Sequence, residues 1–172
     1  MSKYDPDPEA AAKTAARRDR SRPDCVVNVA EIEPSEYRMP KGNVGASVRD
    51  IGAAVGTKLL GVDLTEIAPG KDSSHLHHHT KKEEFFFVVS GRCRLRLGDK
   101  THELRAGDSV ARPANSGVAH QFTNPYEEPC KVLMFGLMEG PGVEDVVDWP
   151  ELGRFITFTA DDQRKIHKKE KA

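Results

Sequence analysis

The sequence predicts an all-β domain of the sandwich or barrel type, and three observations carry that reading. Runs rich in valine, isoleucine, leucine and phenylalanine recur at close intervals, the clearest of them alternate apolar and polar with a period of two, and glycine-bearing turns separate them. The 172 residues, 37% hydrophobic and 31% charged, support one core of roughly 100 to 150 residues with polar ends. A formal net charge of -1, from 26 basic and 27 acidic residues, gives no electrostatic reason to expect nucleic acid or an anionic membrane as a partner. A small molecule is therefore the expected ligand. No stretch approaches the roughly 18 apolar residues of a membrane span, and the start of the chain lacks the apolar core of a secretory signal, which points to the cytoplasm. Cys25, Cys93 and Cys130 form no metal-ribbon spacing and read as free thiols that pack in the interior.

In chain order, residues 1–24 carry Asp-Pro-Asp-Pro, an alanine cluster and Arg17-Arg18-Asp19-Arg20, with little to bury. They are expected to form a disordered arm with at most a frayed helix over 8–18. Six basic residues face five acidic ones there, which argues against a DNA-binding arm. Residues 25–55 read as a wrapping segment: an edge strand over 26–29, then a stretch rich in proline, glycine and polar residues with no sustained period. The barrel is expected over 56–140. Its first strand lies within 57–67 and ends at the Pro69-Gly70 turn. Phe85-Phe86-Phe87-Val88-Val89 is the next long strand, closed by Ser90-Gly91. Arg92-Cys93-Arg94-Leu95-Arg96-Leu97 alternates strictly, so Cys93, Leu95 and Leu97 face inward, three arginines face water, and Gly98-Asp99-Lys100 supplies the hairpin. Strands over 101–104, 109–112, 118–123 and 130–138 complete the series. The tail, 141–172, is assigned a strand over 155–158 and a short charged helix over 161–169.

The chemistry concentrates in Ser74-His75-Leu76-His77-His78-His79-Thr80-Lys81-Lys82-Glu83-Glu84, where four of the seven histidines fall within five residues. On a strand, His75, His77 and His79 share one face and His78 takes the other. His77 and His79 then lie about 6 to 7 Å apart along the backbone, near enough to share an ion at ~2.1 Å per bond if their rings converge. Glu84 opens the following strand and adds a hard oxygen. His120 shares a strand face with Val118 and Phe122, so alone it reads first as a core histidine with a satisfied hydrogen bond. Together the four groups favour an ion, because burying them uncompensated costs several kcal/mol.

These residues are similar to the two metal-site motifs of the cupins. The first stands here as Gly70-x6-His77-x-His79-x4-Glu84-x6-Gly91 and the second as Gly107-x5-Pro113-x3-Gly117-x2-His120-x3-Asn124. The first departs by one residue between Gly70 and His77, the second by two residues between Pro113 and Gly117, and neither departure moves a ligand position. The chain most resembles the single-domain bacterial cupins of the cupin-2 conserved-barrel type. The resemblance implies a double-stranded β-helix (jelly-roll) barrel, with His77, His79, Glu84 and His120 ligating a divalent metal ion, Fe, Mn, Zn or Ni, and with coordination positions open to water or substrate. It makes His75 an outer-sphere or alternative ligand, or a polar residue at the barrel mouth. The catalytic residues and the substrate are left undefined.

Three functions follow from such a site: a metal-dependent dioxygenase, isomerase or lyase acting on a small molecule; a non-catalytic module that binds a sugar or small metabolite; and a structural barrel with a vestigial site. Phe85, Phe87 and Val89 lie opposite Glu84 in parity, an apolar stripe on the outer face that a second copy would cover, so a homodimer is expected.

Overall fold

The computed structural model describes residues 7–39, 41–137, 144–158 and 164–169. Its strands, in chain order, are β1 (Ser35–Arg38), β2 (Gly45–Asp50), β3 (Leu60–Ile67), β4 (His78–His79), β5 (Glu84–Ser90), β6 (Arg92–Leu97), β7 (Lys100–Arg105), β8 (Ser109–Arg112), β9 (His120–Thr123), β10 (Cys130–Leu137), β11 (Asp145–Trp149), β12 (Arg154–Phe158) and β13 (Arg164–Lys168). They form three antiparallel sheets, ordered β1-β2-β3-β10-β5-β8, β13-β12-β11-β4 and β7-β6-β9. The central strand pair is β3 with β10, in register from Leu60↔Leu137 to Ile67↔Cys130.

Alternation decides which face is inside. On β5, Glu84, Phe86 and Val88 are buried, while Phe85, Phe87 and Val89 remain 42%, 37% and 46% exposed. The same parity holds on β10, where Cys130, Val132, Met134 and Gly136 are buried. Ile67, Phe86, Val88, Cys93, Leu95, Phe122, Cys130, Val132 and Met134 form one core. Each large member contributes roughly 1.5–3 kcal/mol by leaving water. Two glycines are there for space. A Cβ at Gly91, which holds φ +76°, would overlap the Pro129 carbonyl oxygen, and one at Gly136 would come 2.5 Å from Lys82 Cε. Gly136 thereby lets the Lys82 side chain cross β10.

Helix α1 (Pro8–Arg17) occupies the N-terminal arm, capped by Asp7, whose carboxylate accepts from the Glu9 and Ala10 amides, with proline in its first turn. Its contacts reach forward: Arg18 donates to the Ala54 carbonyl at 2.8 Å, and the Glu33 amide donates to Thr14 Oγ1 at 3.0 Å. Residues 1–6 of the arm lie outside the described residues.

Several expectations need correction. Residues 161–163 and 170–172 lie outside the described residues, but Arg164–Lys168, within the expected C-terminal helix, is a strand. There β12 offers an open edge, and Ile156↔Ile166 and Phe155↔His167 pair across it, the last two rings stacked at 4.6 Å; edge pairing overrides the helical propensity of a charged run. Residues 26–29 form no strand and run instead into a single 3-10 turn at Val29–Glu31. The wrapping segment is more regular than its composition suggests, because β1 pairs with β2 and β2 with β3, while helix α2 (Ile51–Val55) is capped by Asp50 and Gly56. Cys25 is exposed, unlike the buried Cys93 and Cys130. β11 was not anticipated at all.

Candidate metal centre

The site begins with one antiparallel bridge. His77 and His120 sit directly opposite, the His77 amide donating to the His120 carbonyl at 3.1 Å and the His120 amide returning the bond at 2.7 Å. Their side chains therefore leave the same side of the ladder, with ring centroids 4.5 Å apart. His79, two residues on, returns to that side at 5.2 Å from His77. Glu84 enters at the start of β5, its Oε1 3.6 Å from His79 Nε2 and its Oε2 3.2 Å from His120 Nε2. His77, His79 and Glu84 each offer a ligand atom within 4.8 Å of the others, a grouping that can hold a metal ion.

The hydrogen bonds fix which nitrogens face inward. A carbonyl can only accept, so His77 Nδ1, 2.8 Å from the His75 carbonyl oxygen, carries the proton and leaves Nε2 as the lone-pair donor. His79 Nδ1 donates in the same way to Asp145 Oδ2 at 2.5 Å. Asp145 is anchored in turn, its Oδ1 accepting from the Thr80 amide, the Thr80 hydroxyl and the Lys81 amide at 2.8–3.1 Å. A carboxylate behind a ligating imidazole orients the ring and raises its basicity.

The electrostatics suit a cation. Loss of water pushes His77 well below the ordinary imidazole value, with the neighbouring His120 adding to the effect. Burial likewise lowers His120, against the pull of Glu84. Burial alone would raise Glu84, but the His120 Nε2 contact at 3.2 Å and the surrounding imidazoles outweigh it and hold the carboxyl well below its usual range. For Asp145 burial also acts upward, and the His79 contact with the Lys81 amide and Thr80 hydroxyl offsets it, leaving a value of about 2. Neutral imidazoles beside an ionised carboxylate are the protonation states that ligation requires. In this cluster two atoms are left over: Glu84 Oε2 is buried without an aligned hydrogen-bond donor, and His120 Nδ1 without a partner. An unsatisfied buried oxygen costs ~1–3 kcal/mol, and a metal ion among these side chains removes that cost.

The four groups form part of the lining of a cavity of about 510 Å3. Its apolar walls include Phe86, Phe122 and Met134 from the barrel and Val147, Trp149 and Ile156 from the C-terminal sheet. Lys82, 1% exposed, also lines it. Of the remaining histidines, His75 is 8% exposed and lines the cavity with its edge toward Trp149, centroids 6.3 Å apart. The strand that was to align His75, His77 and His79 is only two residues long, so His75 and Leu76 are both buried rather than alternating. His78 turns away to lie 3.3 Å from Asp148. Gln121 lies off the cavity, donating to the Ser74 carbonyl at 2.8 Å, whereas Tyr37 lines it. Asp145 and Lys82 were missed by sequence reasoning. Lys82 carried a signal, since it shares parity with Glu84; Asp145 carried none that separates it from Glu144 or Asp148.

A closed antiparallel barrel with histidines and a carboxylate gathered inside defines the class, and comparison with known proteins agrees. Residues 63–136 match the family model described as a cupin domain. Among solved structures it is similar to a sugar phosphate isomerase of the cupin superfamily from Silicibacter pomeroyi, at 27% identity and TM-score 0.67 over 72% of this chain and 76% of that one. It is also similar to a provisionally named sugar phosphate isomerase from Acidithiobacillus ferrooxidans, at 24% identity and TM-score 0.76, covering 84% and 92%. A polyketide cyclase from Streptomyces resistomycificus shares the fold at 18% identity and TM-score 0.54, covering 65% and 78%. No protein with a curated description matches the chain. Among the described residues, no helix is long and apolar enough to cross a membrane.

Proposed function

We propose that the chain is a cytoplasmic metal-dependent enzyme of the isomerase type, acting on a small polar molecule bound in the barrel cavity. His77, His79, Glu84 and His120 hold the ion, Fe, Mn, Zn or Ni. The observation that carries this reading is the buried Glu84 Oε2, without an aligned donor, among three imidazoles that open onto a substrate-sized cavity. Isomerisation is favoured over oxygenation or lyase chemistry by the likeness to the Silicibacter pomeroyi sugar phosphate isomerase.

Such an ion, when bound, polarises a carbonyl or hydroxyl oxygen and steadies the charge that develops there. The chain's own residues do the rest. Asp145 and the His75 carbonyl keep the Nε2 atoms of His79 and His77 turned to the site, so no reorientation precedes binding. Phe86, Phe122 and Met134 keep water from the substrate face.

The test is to strip the protein with a chelator, restore each of the four metals, and follow aldose–ketose interconversion. Metal-dependent turnover is expected. Tight ligand binding with the ligand recovered unchanged under every metal would instead identify a binding module. We further propose that a second copy covers the outer face of the six-stranded sheet, where Phe85↔Phe135 and Phe87↔Leu133 join Leu60 and Leu137 in one apolar surface. Phe85→Ser should shift the sedimentation of a dimer to that of a monomer. A wild-type chain that is monomeric at high micromolar concentration removes this idea.

A further inference from the structure

We infer that the mouth of this cavity is an oxyanion subsite, formed by Arg38, Lys41 and Arg154, which takes the phosphate group of a phosphorylated polyhydroxy substrate. The inference rests on the isomerase reading for its reaction and on separate residues for its chemistry.

β12 places Arg154, Ile156 and Phe158 on one face, and all three line the cavity. The two apolar residues belong there. An arginine on the same face places a permanent charge against an apolar wall, an arrangement that proteins keep when the charge has a partner. Among the described residues, Arg154 has no ion-pair partner in the protein, and neither has Lys41. Arg38, at the end of β1, also lines the cavity. Its pairing with Glu36 is a 3.5 Å contact between side chains that are 78% and 60% exposed, too weak to commit the guanidinium.

The charge balance of the lining points the same way. Among the described residues that line the cavity, Glu84 is the sole carboxylate, and it belongs to the histidine cluster, whereas Arg38, Lys41 and Arg154 are cationic. Among the described lining residues, a ligand entering this cavity therefore meets more positive than negative charge. A phosphate monoester carries about -1.5 to -2 charges and three strong acceptor oxygens, enough for two guanidinium forks and an ammonium together. A carboxylate has two oxygens and one charge, and leaves donors unmatched. With its phosphate held by residues outside the cluster, the substrate's carbonyl end is left to the histidines.

Isothermal titration of the protein as purified tests this. The probes are triose to hexose phosphates, each beside its unphosphorylated sugar, with inorganic phosphate as competitor and gluconate as the carboxylate control. At least one phosphate is expected to bind about tenfold or more tightly than its neutral counterpart and to be displaced by inorganic phosphate. Arg154→Ala should abolish that advantage with metal content and unfolding midpoint unchanged, and Arg154→Lys should restore part of it. The subsite is overturned if no phosphate outbinds its neutral sugar, if gluconate binds more tightly than every phosphate, or if Arg154→Ala keeps the advantage. Phosphate-dependent binding without interconversion under any metal would remove the isomerase reading and leave the subsite. Turnover of neutral sugars with no gain from phosphate would do the reverse.

Discussion

The strands from Leu60 to Leu137 and the strands that flank them divide the cavity between them, and they do different work. The first group carries His79, Glu84 and His120 on β4, β5 and β9, with His77 in the bridge to β9. The second, β1 with β11 to β13, supplies the facing apolar wall, the carboxylate behind His79 and the cationic mouth. On the proposed reading, the difference separates the ligand cluster, three of whose four residues lie within 77–84, from recognition, fixed by residues far away in the sequence. A ligand cluster of this kind serves many reactions. What enters is chosen by the flanks.

If that division is right, damage to the barrel strands should remove the ion, and damage to the flanks should loosen or redirect it. The largest effect is expected for His77→Ala, which should cost more than about 100-fold in metal affinity by chelator competition, exceeding the loss expected from any outer-sphere change. Next comes Asp145→Ala. It leaves every ligand in place but frees the His79 ring, and about 10- to 100-fold weaker metal binding is expected, with Asp145→Asn losing less because an amide oxygen can still accept from His79 Nδ1. Asp145→Ala with a loss of metal affinity as large as that of His77→Ala, or with none, would erase the distinction. Third, Gly136→Ala sets a methyl 2.5 Å from Lys82 Cε and should lower the urea unfolding free energy by about 1–3 kcal/mol.

The smallest expected effect is a gradual loss of stability in acid, read as the melting temperature of metal-free protein against pH. His75, His77 and His120 titrate below 6.5 in the fold because burial disfavours the imidazolium. Below that pH the unfolded chain takes up protons that the folded chain refuses, so stability is lost as pH falls through the window. Glu84 and Asp145, whose folded values lie under the ordinary carboxylate range, add a second loss in the same direction below about pH 4. A melting temperature that rises on acidification would contradict both.

Period-two alternation made the barrel legible. The strict pattern of Arg92 to Leu97 located β6, and the parity of Glu84 against Phe85 separated the buried and exposed faces of β5. The spacing of the histidines located the candidate ligands, because residues two apart on a strand share a face whatever surrounds them. The flanks were opaque for a related reason. Gly45 to Asp50 and Arg164 to Lys168 have weak intrinsic preference and become strands by pairing with an existing edge, which is information held by the partner. Lys82 stands among charges in Lys81-Lys82-Glu83 with only its parity to Glu84 as a hint, and the bare backbone of Gly136 shows where its stem goes. His75 departs from the expected alternation because the strand expected to carry it begins only at His78.

Elemental analysis of the purified protein, with His120→Ala as control, bears most directly on the claim that these four side chains hold one ion. The account predicts ~1 transition-metal ion per wild-type chain and a large loss in the variant at unchanged secondary structure. Wild-type protein that stays metal-free after growth and purification with all four metals supplied, or a variant that retains its full complement, would contradict it.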